Sequence, residues 1–324
     1  MALMGQVRSV RVLCEVAAQG SFSSAARELG MTQSAVSQHV AALERECGLP
    51  LVVRGTRPLE LTEAGLLLVR HGRQVTNRLE VADQELAQLS GRRAGRLRLG
   101  SFPTALTTFV PGALAQLHEK HPALTLTVVD DHMQGLAPRL LSGELDLAVV
   151  YESPVLGDDA SRLVLVPLFD DPYRALLPAG HRLARSRTPL RLKDLGDETW
   201  VGGRVGSAWF RILQQECRAV GFEPRTMLAT DDHRAVQSFV AAGLGVAVVP
   251  GLAASHPLEG VVVRELARPA PTRRVAVARL PGEPVAPPVL AMTEILRDQT
   301  SGLAGAGRSR ASGVRKPPAA GRRG

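Results

Sequence analysis

The sequence predicts a mixed α/β protein with a helical head, and three observations carry that prediction. Residues 1–61 hold short helical segments and a small loop marked by proline and glycine. Residues 62–91 form one long helical pattern without proline. Residues 94–300 alternate short β-branched runs with helical stretches, as parallel α/β sheets do. With 324 residues, 45% of them hydrophobic, the chain is long and apolar enough for two or three packed domains and is not disordered throughout.

Charge says less than it first suggests. The net charge of +8 is concentrated in residues 301–324, where Arg308, Arg310, Arg315, Lys316, Arg322 and Arg323 stand with no acidic residue. This stretch of small and basic residues is expected to be a disordered tail, so net charge alone does not establish nucleic-acid binding. The three cysteines, Cys14, Cys47 and Cys217, are far apart and form no C-x-x-C pair, which argues against a disulfide framework or zinc ribbon and suits a reducing cytoplasm. The first twenty residues hold no continuous apolar run of the kind that directs export. Residues 235–258 lack Asp, Glu, Lys and Arg, but their pattern changes at Gly243; a buried helix followed by a buried strand is expected, not a membrane span.

In the head, Val7, Val10, Cys14 and Ala17 form one apolar stripe that stops at Gly20. Ser23 is the expected N-cap of a second helix carrying Ala25, Ala26 and Leu29, with Phe22 stapling its start and Gly30 ending it. Thr32 caps a third helix, in which Val36, Val40 and Leu43 point inward. Two short helices about a tight turn outline a helix-turn-helix. Gln33, Ser34, Ser37 and Gln38 fall on the other faces of the third helix, where short hydroxyl and amide side chains suit base edges and phosphates in a major groove. The competing reading is the solvated face of an ordinary helical hairpin. Residues 49–62 then read as a small hairpin with Arg54 and Arg57 at its tip, placed for phosphate or minor-groove contact if the hairpin is a wing and merely solvated if it is a turn. Thr62 caps the long helix, whose residues Leu68, Gly72, Val75, Leu79, Ala82, Leu86 and Leu89 follow heptad steps. They predict a coiled coil with a second chain, or else an amphipathic helix packed on its own domain.

The string Ser21-Phe22-Ser23-Ser24-Ala25-Ala26-Arg27-Glu28-Leu29-Gly30-Met31-Thr32-Gln33-Ser34-Ala35-Val36-Ser37, together with Leu43-Glu44 and Leu61-Thr62-Glu63-Ala64-Gly65, resembles the LysR-type transcriptional regulators. The resemblance spans about residues 6–300 and is strongest in the first 65. It implies a winged helix-turn-helix DNA-binding domain over 1–62, a linker and dimerisation helix over 63–91, and an effector-binding domain over 94–300 like a type 2 periplasmic binding protein. Lobe 1 would cover about 94–161 and 269–300, and lobe 2 about 163–267. Gln33, Ser34, Ser37 and Gln38 would lie at the DNA, with Arg54 and Arg57 on the wing. Val52 departs from the family, which usually has Phe there; a smaller wing core is expected.

The remaining sequence fits such a two-lobed domain. Strands are expected at 97–100, 124–129 and 145–150, with a helix from Ser101-Phe102-Pro103-Thr104 to about Lys120 and another over 136–141. A second unit runs over about 163–266, and the chain then returns for a strand at 273–278 and a last helix near 289–298. Ligands of open α/β sheets bind at the carboxyl ends of strands. The expected cleft residues are therefore Ser101, Phe102 and Thr104 at the first strand–helix turn, Tyr151 after the third strand, Gly203, Arg204 and Ser207 before a lobe 2 helix, and Asp231 and His233 at another helix start. Their alternative is plain capping and turn formation.

Other signals are weaker. The glycines of 202–206 and 243–245 complete no nucleotide fingerprint, and His118, His121 and His132 suit a solvated helix end better than a metal site. No catalytic constellation is recognisable. The expectation is a cytoplasmic, non-enzymatic regulator without cofactor, metal or membrane. Its partners would be a double-stranded DNA operator, a small-molecule effector, further copies of itself in a homodimer or homotetramer, and RNA polymerase. The rivals are an α/β enzyme with a helical appendage and a nonspecific DNA binder led by its arginine-rich tail.

Overall fold

The computed structural model describes residues 5–53, 55, 59–89, 95–152, 161–282 and 285–308. Arg54, Arg57 and the part of the tail beyond 308 lie outside this set.

The head packs α1 (Val7–Gln19), α2 (Phe22–Glu28) and α3 (Gln33–Cys47) around one apolar cluster that contains Leu13, Val16, Ala25, Val36 and Leu43. Small Ala25 and Ala26 let α2 approach its neighbours, which longer side chains would hold apart. One cap differs from expectation: Ser21, not Ser23, accepts the Ser24 N–H at 3.1 Å, because Ser21 is the residue in extended conformation. Strands β1 (Val52–Val53) and β2 (Glu60–Leu61) pair antiparallel as the wing, and Val52 is buried in its core.

Helix α4 (Glu63–Leu89) begins at Thr62, whose hydroxyl accepts the Gly65 N–H. Its heptad seam divides. Leu68 joins the head's core, and Gly72 lies so close to Val10 of α1 that a Cβ would collide with it, so this half packs within the chain and not on a second one. Val75, Leu79 and Leu86, farther along, are about half exposed or more (50%, 49% and 62%).

The C-terminal region has two lobes with separate cores. Lobe 1 is a sheet of order β4–β3–β5–β11–β6, with β3 (Gly95–Ser101), β4 (Leu124–Asp130) and β5 (Leu147–Tyr151) parallel and β11 (Thr272–Arg279) antiparallel to β5 and β6. The expected helix from Pro103 to Lys120 is broken into α5 (Pro103–Leu106) and α6 (Val110–Lys120), with Pro111 in the first turn of the second. Helices α7 (Met133–Leu141) and α10 (Pro287–Arg308) complete the lobe, and α10 runs eight residues into the stretch expected to be tail.

Strand β6 (Val164–Pro178) serves both lobes. Its residues up to Pro172 pair with β11, and those from Tyr173 pair with β9 (Ala247–Pro250) and β10 (Val261–Glu265). The border between lobes therefore falls within this strand and not before residue 163. Lobe 2 adds β7 (Thr199–Gly202) and β8 (Arg225–Ala229), which pair parallel, with α8 (Ala208–Ala219) and α9 (His233–Ala241). The charge-free stretch 235–258 forms α9 and then the wholly buried β9, and among the described residues no helix is long and apolar enough to cross a membrane.

Lobe 1 holds α4 through a polar clasp. Arg98 grips Asp146 with Nε at 3.1 Å and Nη2 at 2.6 Å, and also reaches Asn77 of α4. Asn77 donates to the Gly143 carbonyl at 2.6 Å, Gln74 to the Leu141 carbonyl at 3.5 Å, and Arg96 pairs with Glu80. Gly143 has φ +73°, and a Cβ there would strike the Asn77 amide, so both backbone and packing call for glycine.

Candidate functional site

Two sites emerge, one on the head and one between the lobes. On α3, burial of Val36, Val40 and Leu43 leaves Gln33, Ser34, Ser37 and Gln38 exposed along the opposite side. The Thr32 hydroxyl accepts the Ala35 N–H at 3.2 Å and lies 3.0 Å from the Ser34 hydroxyl, which fixes the first turn. The helix is held from behind by Ser9 of α1, whose hydroxyl is 2.9 Å from His39 Nδ1. A helix with a buried apolar stripe and four short polar side chains at its N-terminal end can lie in a major groove and exchange hydrogen bonds with base edges.

The second site is a cleft with two connected chambers of about 390 and 730 Å³, which share His132, Arg204, Asp231 and His233. Its floor is a buried ion pair. Arg273 on β11 stands opposite Asp171 on β6 and donates to it from Nε at 2.9 Å. A second nitrogen, Nη2, donates to the Thr104 hydroxyl at 2.9 Å, and the guanidinium carbon lies 4.8 Å from both the Phe102 and Tyr151 ring centres. Asp171 also accepts at 3.0 Å the N–H of Leu252, which follows β9 of lobe 2 and packs its side chain into the lobe 1 core, so one pair ties Thr104 to the segment leaving lobe 2. Burial pushes the Asp171 carboxyl up from its ordinary value, and Arg273 opposes that push.

At the mouth, Asp231 accepts the Arg204 backbone N–H at 3.1 Å and its Nε at 2.8 Å. Burial would raise the Asp231 carboxyl, but hydrogen bonds from Arg204 and Ser207 outweigh it and hold the group below the ordinary carboxylate range. Ser207 caps α8 through the Phe210 N–H. His233 packs edge-on against Trp209 at 4.7 Å, and its Nδ1 is sealed from solvent without a hydrogen-bond partner. Burial, reinforced by Arg273, drives its pKa down to about 3, so the ring is neutral.

The structure thus brings Thr104, Tyr151, Arg204, Ser207, Asp231 and His233 to the cleft. Three expected residues lie elsewhere. Ser101 is fully buried as the last residue of β3, and its hydroxyl turns to the Phe102 carbonyl, because the strand runs one residue farther than its apolar run suggested. Phe102 is covered by Arg273. Gly203 lines neither chamber; a Cβ there would sit 2.9 Å from the Ser207 hydroxyl oxygen. Among the cleft residues that escaped sequence reasoning are Tyr173, Trp209 and Arg273, with Asp171 behind Arg273. A usable signal existed, since Arg273 shares a strand face with Val275 and Val277, and Asp171 with Phe169 and Tyr173. Charged residues on inward faces of facing strands need one another. Among the described residues, no cluster of His, Cys, Asp and Glu fits a metal ion.

Comparison with known proteins adds to this geometry. The family described as "Bacterial regulatory helix-turn-helix protein, lysR family" matches residues 7–66, and "LysR substrate binding domain" matches residues 90–301. A "Probable hydrogen peroxide-inducible genes activator" of Mycobacterium avium is 33% identical over 84% of this chain and 86% of its own length. The "DNA-binding transcriptional dual regulator OxyR" of Escherichia coli K12 is 26% identical over 91% and 96%. Among solved structures, a full-length OxyR from Pseudomonas aeruginosa with a cysteine-to-aspartate substitution aligns with a TM-score of 0.72 at 26% identity, over 91% of this chain and 97% of that one.

Proposed function

Since the chain belongs to the LysR family of DNA-binding transcriptional regulators, with its effector-binding domain over residues 90–301, we propose how its own residues carry out that regulation. Gln33, Ser34, Ser37 and Gln38 read base edges from α3 in the major groove, with Arg54 and Arg57 of the wing on the backbone or adjacent minor groove. The observation that carries this reading is the exposure of those four α3 side chains on a helix whose other face is wholly committed to the core. The exposed Val75, Leu79 and Leu86 of α4 meet the same residues of a second chain, so that a homodimer, or a pair of dimers, presents two heads to a palindromic operator. The protein works in the cytoplasm, where its DNA is, and meets RNA polymerase at the promoter.

The effector occupies the cleft between the lobes and favours one arrangement of the protein, by no more than its difference in affinity for the alternatives. The protein acts without catalysis or cofactor, a reading supported by the ion pairs Arg204–Asp231 and Arg273–Asp171 in and behind the cleft. Hydrogen peroxide, named for the relatives, reaches proteins most readily through an exposed thiolate. Here the effector domain has one cysteine, Cys217, buried in the core of lobe 2 with its thiol pushed up to about 12. Regulation by reversible occupancy of the cleft fits this chain better than thiol oxidation.

Selection of bound fragments from random genomic DNA, followed by footprinting, tests the central claim. The expected result is a discrete protected palindrome. Equal affinity for every fragment at near-cellular salt would refute it.

A further inference from the structure

The cleft's charges are arranged so that they cancel. The smaller chamber faces Arg204, Arg273 and Asp231, with Asp171 directly behind Arg273. The larger one faces Arg204 and Arg234 against Asp231 and Asp232. In each chamber two arginines are matched by two aspartates, and the sealed His233 is neutral. Around the smaller chamber the matching is made by direct bonds. Arg273 gives Nε to Asp171 and Nη2 to Thr104 and lies against the Phe102 and Tyr151 rings, and Arg204 gives its Nε and backbone N–H to Asp231.

An anionic ligand entering the smaller chamber would shed its water to face as many carboxylates as guanidinium groups, and burying a charge without a net counter-charge is unfavourable. An uncharged one would meet Tyr173, Ser207 and Gln134 beside Trp209 and His233. The chamber of about 390 Å³ lies at the small end of the range of ligand sites, roughly 300–1,000 Å³.

Building on the reading that the effector binds in this cleft, we infer that the site selects a compact ligand of no net charge that carries several hydrogen-bonding groups, and that Asp231 determines this specificity by cancelling Arg204. Asp231 is suited to that task because it accepts from the Arg204 side chain and backbone together, which sets a carboxylate directly against the guanidinium. Its own carboxyl stays ionised across the neutral range because those bonds hold its pKa down.

The test uses benzamide and benzoate, a pair of nearly equal shape that differ in charge, titrated calorimetrically into the full-length protein. In the wild type, benzoate is expected to bind no more tightly than benzamide. Asp231→Asn should raise the affinity for benzoate relative to benzamide by about tenfold, and adding Arg204→Gln should abolish that gain; melting curves check that both variants fold. Wild-type preference for benzoate by tenfold overturns the inference. So does an unchanged ratio in Asp231→Asn, including the case in which neither probe binds either protein. Should Asp231→Asn gain benzoate binding that leaves operator binding untouched, charge selection at the cleft stands, while the cleft as the effector site falls.

Discussion

In the head, the four α3 side chains proposed to meet DNA come from six consecutive residues, 33–38, and stand in solvent. In the cleft, the groups that face one another come from residues as distant as 104, 171, 204, 231 and 273, and the four charges among them are already paired. The contrast follows from the partner each surface awaits. DNA brings water, counterions and its own rigid pattern of donors and acceptors, so the protein need only display matching groups. A ligand enclosed between two lobes loses its water, so the enclosure itself has to be electrostatically settled beforehand. Exposed chemistry can be assembled locally; enclosed chemistry needs the tertiary fold.

The sharpest way to break this contrast is to unsettle the floor of the cleft. Asp171→Asn leaves Arg273 charged and buried without its counter-charge, which should cost about 3–5 kcal/mol and lower the melting temperature of the effector domain by on the order of 10 °C. The double variant Arg273→Met with Asp171→Leu should recover most of that loss. If the single variant melts within a degree or two of wild type, the pair does not hold the floor together.

The same magnitude of change on the head should behave differently. Gln33→Ala and Ser37→Ala are expected to weaken operator binding by ~1–3 kcal/mol each while leaving melting temperature and self-association unchanged, because both side chains are exposed and bonded to nothing in the core. Equal losses on random DNA would reassign them to phosphate contacts.

The mildest probe is pH. His233 has a folded pKa of about 3 against an ordinary value of 6.5, so between those limits the unfolded chain takes up a proton that the folded chain refuses. Stability is therefore full above about pH 6.5 and falls as the pH is lowered, by at most about 1.4 kcal/mol per unit from this group. His233→Asn should flatten that slope between pH 6.5 and 5 in denaturant titrations, and Gln33→Ala should not. An identical slope in wild type and His233→Asn would show that the ring is protonated in the folded protein.

The head was legible because its signals are short-range. Turn glycines, the Thr32 cap and helical spacing each act within a few residues, and together they place α1 to α3 within a residue or two. Even there, Ser21 and Ser23 compete for one cap, and only the backbone's extended angle at Ser21 decides between them. The heptad seam of α4 left two readings open for a different reason: apolar spacing says that a face is covered but not by what, and α1 covers its first half. In the effector domain the apolar runs announce strands but not their last residue, which cost Ser101 its place in the cleft. Arg273 and Asp171 are 102 residues apart, and their pairing follows from strand register that no local pattern reveals.

Helix α7 borders the cleft with His132 and Gln134 at one end, and its other end supplies the Leu141 and Gly143 carbonyls that grip Gln74 and Asn77 of α4. Nine residues of helix make a rod about 13 Å long. One rigid element thus touches both the cleft and the bolts that fasten the long helix, so a displacement at its near end would be felt at the far one.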